Sequence, residues 1–126
     1  MAGEKKLTKK ELAEEAKKLE DEKKAAEEKK IKIEEFFVKG DNLLFKKRNY
    51  PEALIVYREI LKLERSNIDA LNSVAYCTKF NAAATGQPMS QELFADLNKQ
   101  YVRILEMDPF DVEANFNLGL LYLQFG

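Results

Sequence analysis

Histidine and tryptophan are absent from the 126 residues, cysteine occurs once, and prolines and glycines number only three and five. Without histidine the chain lacks the commonest general base at neutral pH and the commonest side-chain metal ligand. The lone Cys77 cannot close an internal disulfide. It lies in an apolar helical run, which points to a reducing compartment and a place in a core. Neither sign of charge dominates: 21 lysines and arginines face 22 aspartates and glutamates, so no strong field exists to draw in nucleic acid or a basic ligand. No apolar run has the length of a membrane span, and MAGEKKLTKKELAEEAKK has no signal-peptide core. A soluble, cytoplasmic chain with no membrane or nucleic-acid partner is the expectation.

Catalysis is equally short of parts. Serines are few, and the acids lie mostly on charged helical stretches beside lysines. Asp108 and Asp111 are better placed to cap helix ends around Pro109 than to act as an acid and base pair. The inventory predicts a non-enzyme with no cofactor and no metal site.

What the sequence has in abundance is helix. From Thr8 to Glu35 it is almost entirely Lys, Glu, Ala and Leu, favourable to helix at nearly every position. Thr8 and Glu11 form a T-x-x-E capping box at the start. Glu14 with Lys18, Glu20 with Lys24, and Glu28 with Lys32 place opposite charges four residues apart. Leu12, Leu19, Ala26 and Ile33 recur every seven residues as a heptad seam, interrupted by Lys23 and Lys30 at the companion positions. Residues 1–34 therefore read as a charged helical extension. It is either a weakly encoded coiled coil open to self-association or, the preferred reading, one solvated helix running into the next segment.

Residues 35–126 form a second region. Phe37 to Leu63 reads as two short helices, about Glu35 to Lys47 and Pro51 to Leu63, broken at Tyr50-Pro51. Phe37, Gly40 with Asp41, Leu44, Tyr50, Ala53, Tyr57 and Ile60 stand at the spacing of a tetratricopeptide repeat, a helical hairpin of 34 residues, and the segment resembles that family. Arg65 stands where the family closes on proline. Phe37 and Leu71 lie one period apart, and a second unit follows over about 68–111, with Ser66 and Asp69 as its expected cap. Its register then slips. NAAATGQPMS reads as a loop before a helix from about Ser90 to Met107, and Tyr57 and Tyr101 stand 44 residues apart, ten beyond the period. The inserted loop is either tolerated variation or a binding element. Leu97 occupies a place the family gives to alanine, so a looser or differently packed helix contact is expected there. A third unit supplies one helix, about 112–125, in which Leu118, Gly119 and Tyr122 match the family's first helix. Its apolar residues lie on nearly every face, so a longer array, a second copy or a partner is expected to cover it.

The resemblance implies an all-α fold of antiparallel hairpins in a right-handed solenoid, and binding of a partner protein's peptide or helix in its concave groove, as an adaptor or scaffold. Carried over residue by residue, the groove would hold Val38, Asn42, Phe45 and Lys46; Asn72, Ser73, Tyr76, Lys79 and Phe80; and Phe116, Asn117, Leu120 and Gln124. One subfamily clamps the C-terminal carboxylate of heat-shock chaperones. Asn42 matches its asparagine, but Val38, Ser73, Glu113 and Asn117 replace its remaining polar and cationic residues, which disfavours that ligand. The alternative is a structural subunit of a cytoskeletal or ciliary assembly, tied in by the N-terminal helix and the apolar last helix.

Overall fold

A computed structural model describes residues 6–125. Five α-helices and one π-helical turn make up its regular structure, and no strand occurs among the described residues: α1 (Lys9–Asp41), the π turn (Asn42–Lys46), α2 (Tyr50–Leu63), α3 (Ile68–Ala84), α4 (Gln91–Met107) and α5 (Val112–Phe125). The all-α expectation holds. The chain divides into two units, one ending at Lys32 and the other starting at Ile33.

Within the first unit, α1 begins at the expected box. The Glu11 N–H donates to Thr8 Oγ1 at 3.1 Å, and the Thr8 hydroxyl donates to Glu11 Oε1 at 3.0 Å. The ion pairs expected four residues apart are not closed. Among the described residues the pair within 4 Å is Lys62 with Glu59, at 2.7 Å on α2. Exposed lysines and glutamates gain too little from pairing to hold two long side chains in one geometry.

The second unit is built by packing α2 on α3, α3 on α4 and α4 on α5, each helix against its successor in the chain. α1 does not end where a plain helical hairpin would. After Asp41 the helix widens into the π turn, with Lys47 N–H donating to Asn42 O at 3.1 Å, five residues back. The chain then leaves through Arg48 in the left-handed region (φ 51°), and Asn49 N–H closes on Leu43 O at 2.8 Å. Asn49 caps α2 by accepting from Glu52 N–H, and Pro51 sits in the first turn, where a missing N–H costs nothing.

α3 is capped by Asn67, whose Oδ1 accepts from Ala70 N–H at 2.9 Å, and not by the expected Ser66 and Asp69. The boundary falls one residue later than expected, at an amide that caps about as well as serine or aspartate. The ten extra residues of the second hairpin go largely into longer arms: α3 and α4 each have 17 residues against 14 in α2. Gly86 (φ 72°) terminates α3, with Gln87 N–H closing on Ala82 O and Gly86 N–H on Ala83 O. Ser90 Oγ then accepts from Leu93 N–H and starts α4.

Two cores result. The first joins Leu43, Leu44, Ala53, Val56, Tyr57, Ile60, Ala70, Val74 and Cys77. The second joins Leu71, Ala75, Leu97, Tyr101, Ile104, Ala114 and Leu121. Of the two expectations at Leu97 the loose contact does not occur, because this α4 side chain is fully buried in the second core. Ala75 of α3, also fully buried, belongs to the same core.

Close approach in the first core depends on Gly40. A Cβ there would lie 2.7 Å from Tyr57 Cε1 and 3.0 Å from Cζ. The ring cannot retreat, since Tyr57 is fully buried, its hydroxyl donates to Asp41 Oδ1 at 2.6 Å, and Phe37 packs on it at 6.3 Å between centroids. Gly40→Ala gains about 1 kcal/mol of helix propensity but overpacks the contact by on the order of 1–3 kcal/mol. A net loss in the urea midpoint at unchanged slope is the expected result.

Candidate protein-interaction surface

Tyr76 and Phe80 stand four residues apart on α3, so their rings fall on one face and stack at 4.3 Å and 22°. Phe45, on the π turn, meets Tyr76 at 6.2 Å, and Tyr50, at the start of α2, meets Phe80 at 6.2 Å. Four rings from three elements thus form one ladder, with Phe45 63% exposed at its outer end. Beside Phe45 lies a depression of about 390 Å³ lined by Val38, Asp41, Asn42, Phe45 and Lys46. Val38 is 73% exposed there. A wide helical turn carrying an exposed aromatic, next to a concavity with an amide and an ammonium, can accept apolar side chains while hydrogen-bonding a peptide backbone.

Six expected groove residues therefore fall together: Val38, Asn42, Phe45 and Lys46 at the depression, Tyr76 and Phe80 on the ladder. Ser73 and Lys79 are half-buried on the same helix. Tyr50 was not expected in the groove. Its signal was its place directly before Pro51, which assigned it to the turn and hid its second contact.

Asn72 is a correction. It is 1% exposed, and its Nδ2 donates to Asp111 Oδ2 at 2.9 Å, the same oxygen that accepts from Ala114 N–H at 2.9 Å. Asn72 therefore ties α3 to the start of α5 and offers nothing to a ligand. Its helical position alone could not reveal this, because the partner lies 39 residues away. Phe116, Asn117, Leu120 and Gln124 stand on α5, and among the described residues no aromatic contact or side-chain hydrogen bond joins them to the ladder. Phe116 and Gln124 are exposed, Asn117 and Leu120 half-buried.

A second concavity, about 460 Å³, lies among Met89, Ser90, Gln91, Phe94, Tyr122 and Phe125. Phe94 meets Tyr122 edge-on at 5.4 Å, and the Tyr122 hydroxyl donates to Asn98 Oδ1 at 2.5 Å. The inserted segment thus contributes a wall of this hollow through Met89 and Ser90.

Charge is unevenly placed around these features. Near the first turn of α5, the Glu113 carboxyl is pushed up by partial burial and then by the neighbouring Asp111 and Asp69. A carboxylate ligand would meet repulsion at that end. In the cores, burial raises the Cys77 thiol to about 11, with a further contribution from Asp41. Burial, then Glu113, raises Tyr101 to about 12. Tyr57 is raised by burial and by its hydrogen bond to Asp41. No group of three or more acids or cysteines able to hold a metal occurs among the described residues.

Two predictions follow from these buried groups. Asn72→Asp places a carboxyl against Asp111 in a site closed to water, so it should destabilise more than Asn72→Ala at pH 7. The gap should close below about pH 4, where the new group is protonated in both folded and unfolded chains. Urea titrations of both variants at the two pH values test this. Alkaline behaviour is the second prediction. Cys77 and Tyr101 ionise in the unfolded chain near 9.0 and 10.0 but stay protonated in the fold to about 11 and 12. The unfolded chain then binds fewer protons, so stability, full below pH 9, falls as pH rises by up to about 1.4 kcal/mol per pH unit per group. In unfolding curves between pH 8 and 10, Cys77→Ala should show a shallower decline than the unaltered chain.

Compared with models of known families and with characterised proteins, the sequence matches none.

Proposed function

We infer that this chain is a non-catalytic protein–protein interaction module of the tetratricopeptide type. It binds a peptide or helix of a partner in a concave groove and acts as an adaptor or scaffold in the cytoplasm. The observation that carries the reading is the aromatic ladder Phe45, Tyr76, Phe80 and Tyr50 beside the depression at Val38, Asn42 and Lys46. Rings held by one another lose little freedom when a ligand packs on them, which favours binding. The spacing from Phe37 to Ile60 supports the repeat assignment, as does the burial of Ala53, Tyr57 and Ile60 on the inner face of α2. In this reading the successive hairpins stack as a right-handed solenoid, and Asn72 moves from the groove to the scaffold.

A helix or extended segment with an exposed aromatic or aliphatic side chain fits the ladder. A terminal carboxylate does not, because Glu113 and Asn117 stand where the chaperone-binding subfamily has cations, with Asp111 and Asp69 near Glu113. The described residues hold no helix long and apolar enough to cross a membrane. A second reading, a structural subunit of a larger cytoskeletal or ciliary assembly, draws on α5, where Phe116 and Leu123 are exposed.

The test is affinity capture from cell extract with the unaltered chain, a Val38→Glu/Phe45→Glu variant and an Ile55→Glu control. All three positions are exposed, so each variant should fold. A partner held by the unaltered chain and the control but weakened at least tenfold by the double variant supports the groove. Equal retention by all three would place binding elsewhere and favour the structural subunit.

A further inference from the structure

α5 presents an apolar seam that no other element of the described structure covers. Val112, Phe116, Gly119 and Leu123 recur at intervals of four, three and four residues, the spacing of a two-heptad seam. Val112 is 81% exposed, Phe116 67% and Leu123 84%. Nothing lies within 4 Å of where a Cβ of Gly119 would stand. The helix buries a different face, Ala114 and Leu121, against the second core. Gly119 therefore leaves a notch in the middle of a ridge of large side chains, whereas Gly40 is closed over by Tyr57.

We propose that this seam pairs with the same seam of a second copy of the chain, the two α5 helices running antiparallel about a twofold axis. The arrangement is self-complementary. With the axis midway between Phe116 and Gly119, Phe116 of each copy enters the notch at Gly119 of the other, and Val112 of each meets Leu123 of the other. The glycine lets the backbones approach closely at the crossing, where a larger residue would hold them apart.

Charge selects the same orientation. α5 carries no basic residue, and Glu113 is its one acid. Antiparallel pairing sets the two Glu113 side chains at opposite ends and places each helix's positive N-terminal end beside the other's negative C-terminal end. Parallel pairing would bring Glu113 onto its own copy and leave the two glycine notches facing one another. Three large side chains at this exposure, with the flanking Leu120 and Tyr122, remove on the order of 1,000 Å² from water over two copies, the lower edge of a specific interface. The dimer is accordingly weak and reversible. It engages a face distinct from the aromatic ladder and does not rest on the function proposed for that surface.

Sedimentation equilibrium of the full chain at rising concentration tests the pairing. The average mass should climb from 14.5 kDa toward twice that value. Phe116→Asp/Leu123→Asp should remain monomeric where the unaltered chain is mostly dimeric, with the same circular dichroism. As a second measure, Phe116→Cys mixed with Gly119→Cys under mild oxidation should cross-link several times more than either variant alone, since only unlike positions face each other. Cys77 is fully buried and does not compete. A mass fixed at 14.5 kDa at every concentration overturns the proposal, even if another protein is found on the same face. A dimer that survives the aspartate variant overturns it too, and points to the heptad seam of α1. Equal cross-linking by the single variants overturns the antiparallel register.

Discussion

The hydroxyl and ring of Tyr57 hold the first hairpin together. The ring lies over Gly40, where any side chain would collide with it, and the hydroxyl reaches Asp41 one residue on. One side chain thus reads two consecutive residues of the opposing helix, one by the absence of an atom and one by a hydrogen bond. Two consequences extend outward. The end of α1 is pinned close to α2, so the backbone's widening into the π turn falls after the pinned residues and carries Phe45 outward. Phe45 in that position can then meet Tyr76 on α3 and open the ladder. The surface proposed for binding is therefore a by-product of how tightly the hairpin closes.

The second hairpin meets the same need with different residues. Tyr101 and Ile104 on α4 are buried as Tyr57 and Ile60 are on α2, yet Leu97 stands where Ala53 stands. The larger residue shares its core with the fully buried Ala75 of α3. Longer arms did not loosen the packing, since Leu97, Tyr101 and Ile104 are all buried.

Helices were largely legible in the sequence, their ends less so: α3 runs through Ala84, into the stretch from Asn81 that reads as a loop. Thr8 with Glu11, Pro51, Ser90 and Gly86 act locally, and a local signal survives in a linear reading. Phe45, Tyr76 and Phe80 could be placed on one surface because helical spacing and repeat period bring them there. The role of Asn72 was not legible: on spacing alone a buried amide and a groove amide look the same, and its partner Asp111 lies 39 residues on. The π turn was hidden for a related reason. NLLFK contains neither glycine nor proline, so no local breaker marks the extra residue in the turn. Phe116, Asn117 and Leu120 followed from the repeat register, but the described contacts leave them apart from the ladder.

α3 contributes to both cores at once. Ala70, Val74 and Cys77 belong to the first, Leu71 and Ala75 to the second, so adjacent residues of one helix turn inward to different neighbours. Such a helix has little amphipathic character, having no side free to be polar along most of its length. Disturbing either core moves a helix the other core also needs, and the two should melt in one cooperative transition instead of fraying hairpin by hairpin. Sequence drift in α3 is limited for the same reason. A substitution tolerated by one set of neighbours must also suit the other, while α2 and α4 each answer mainly to one.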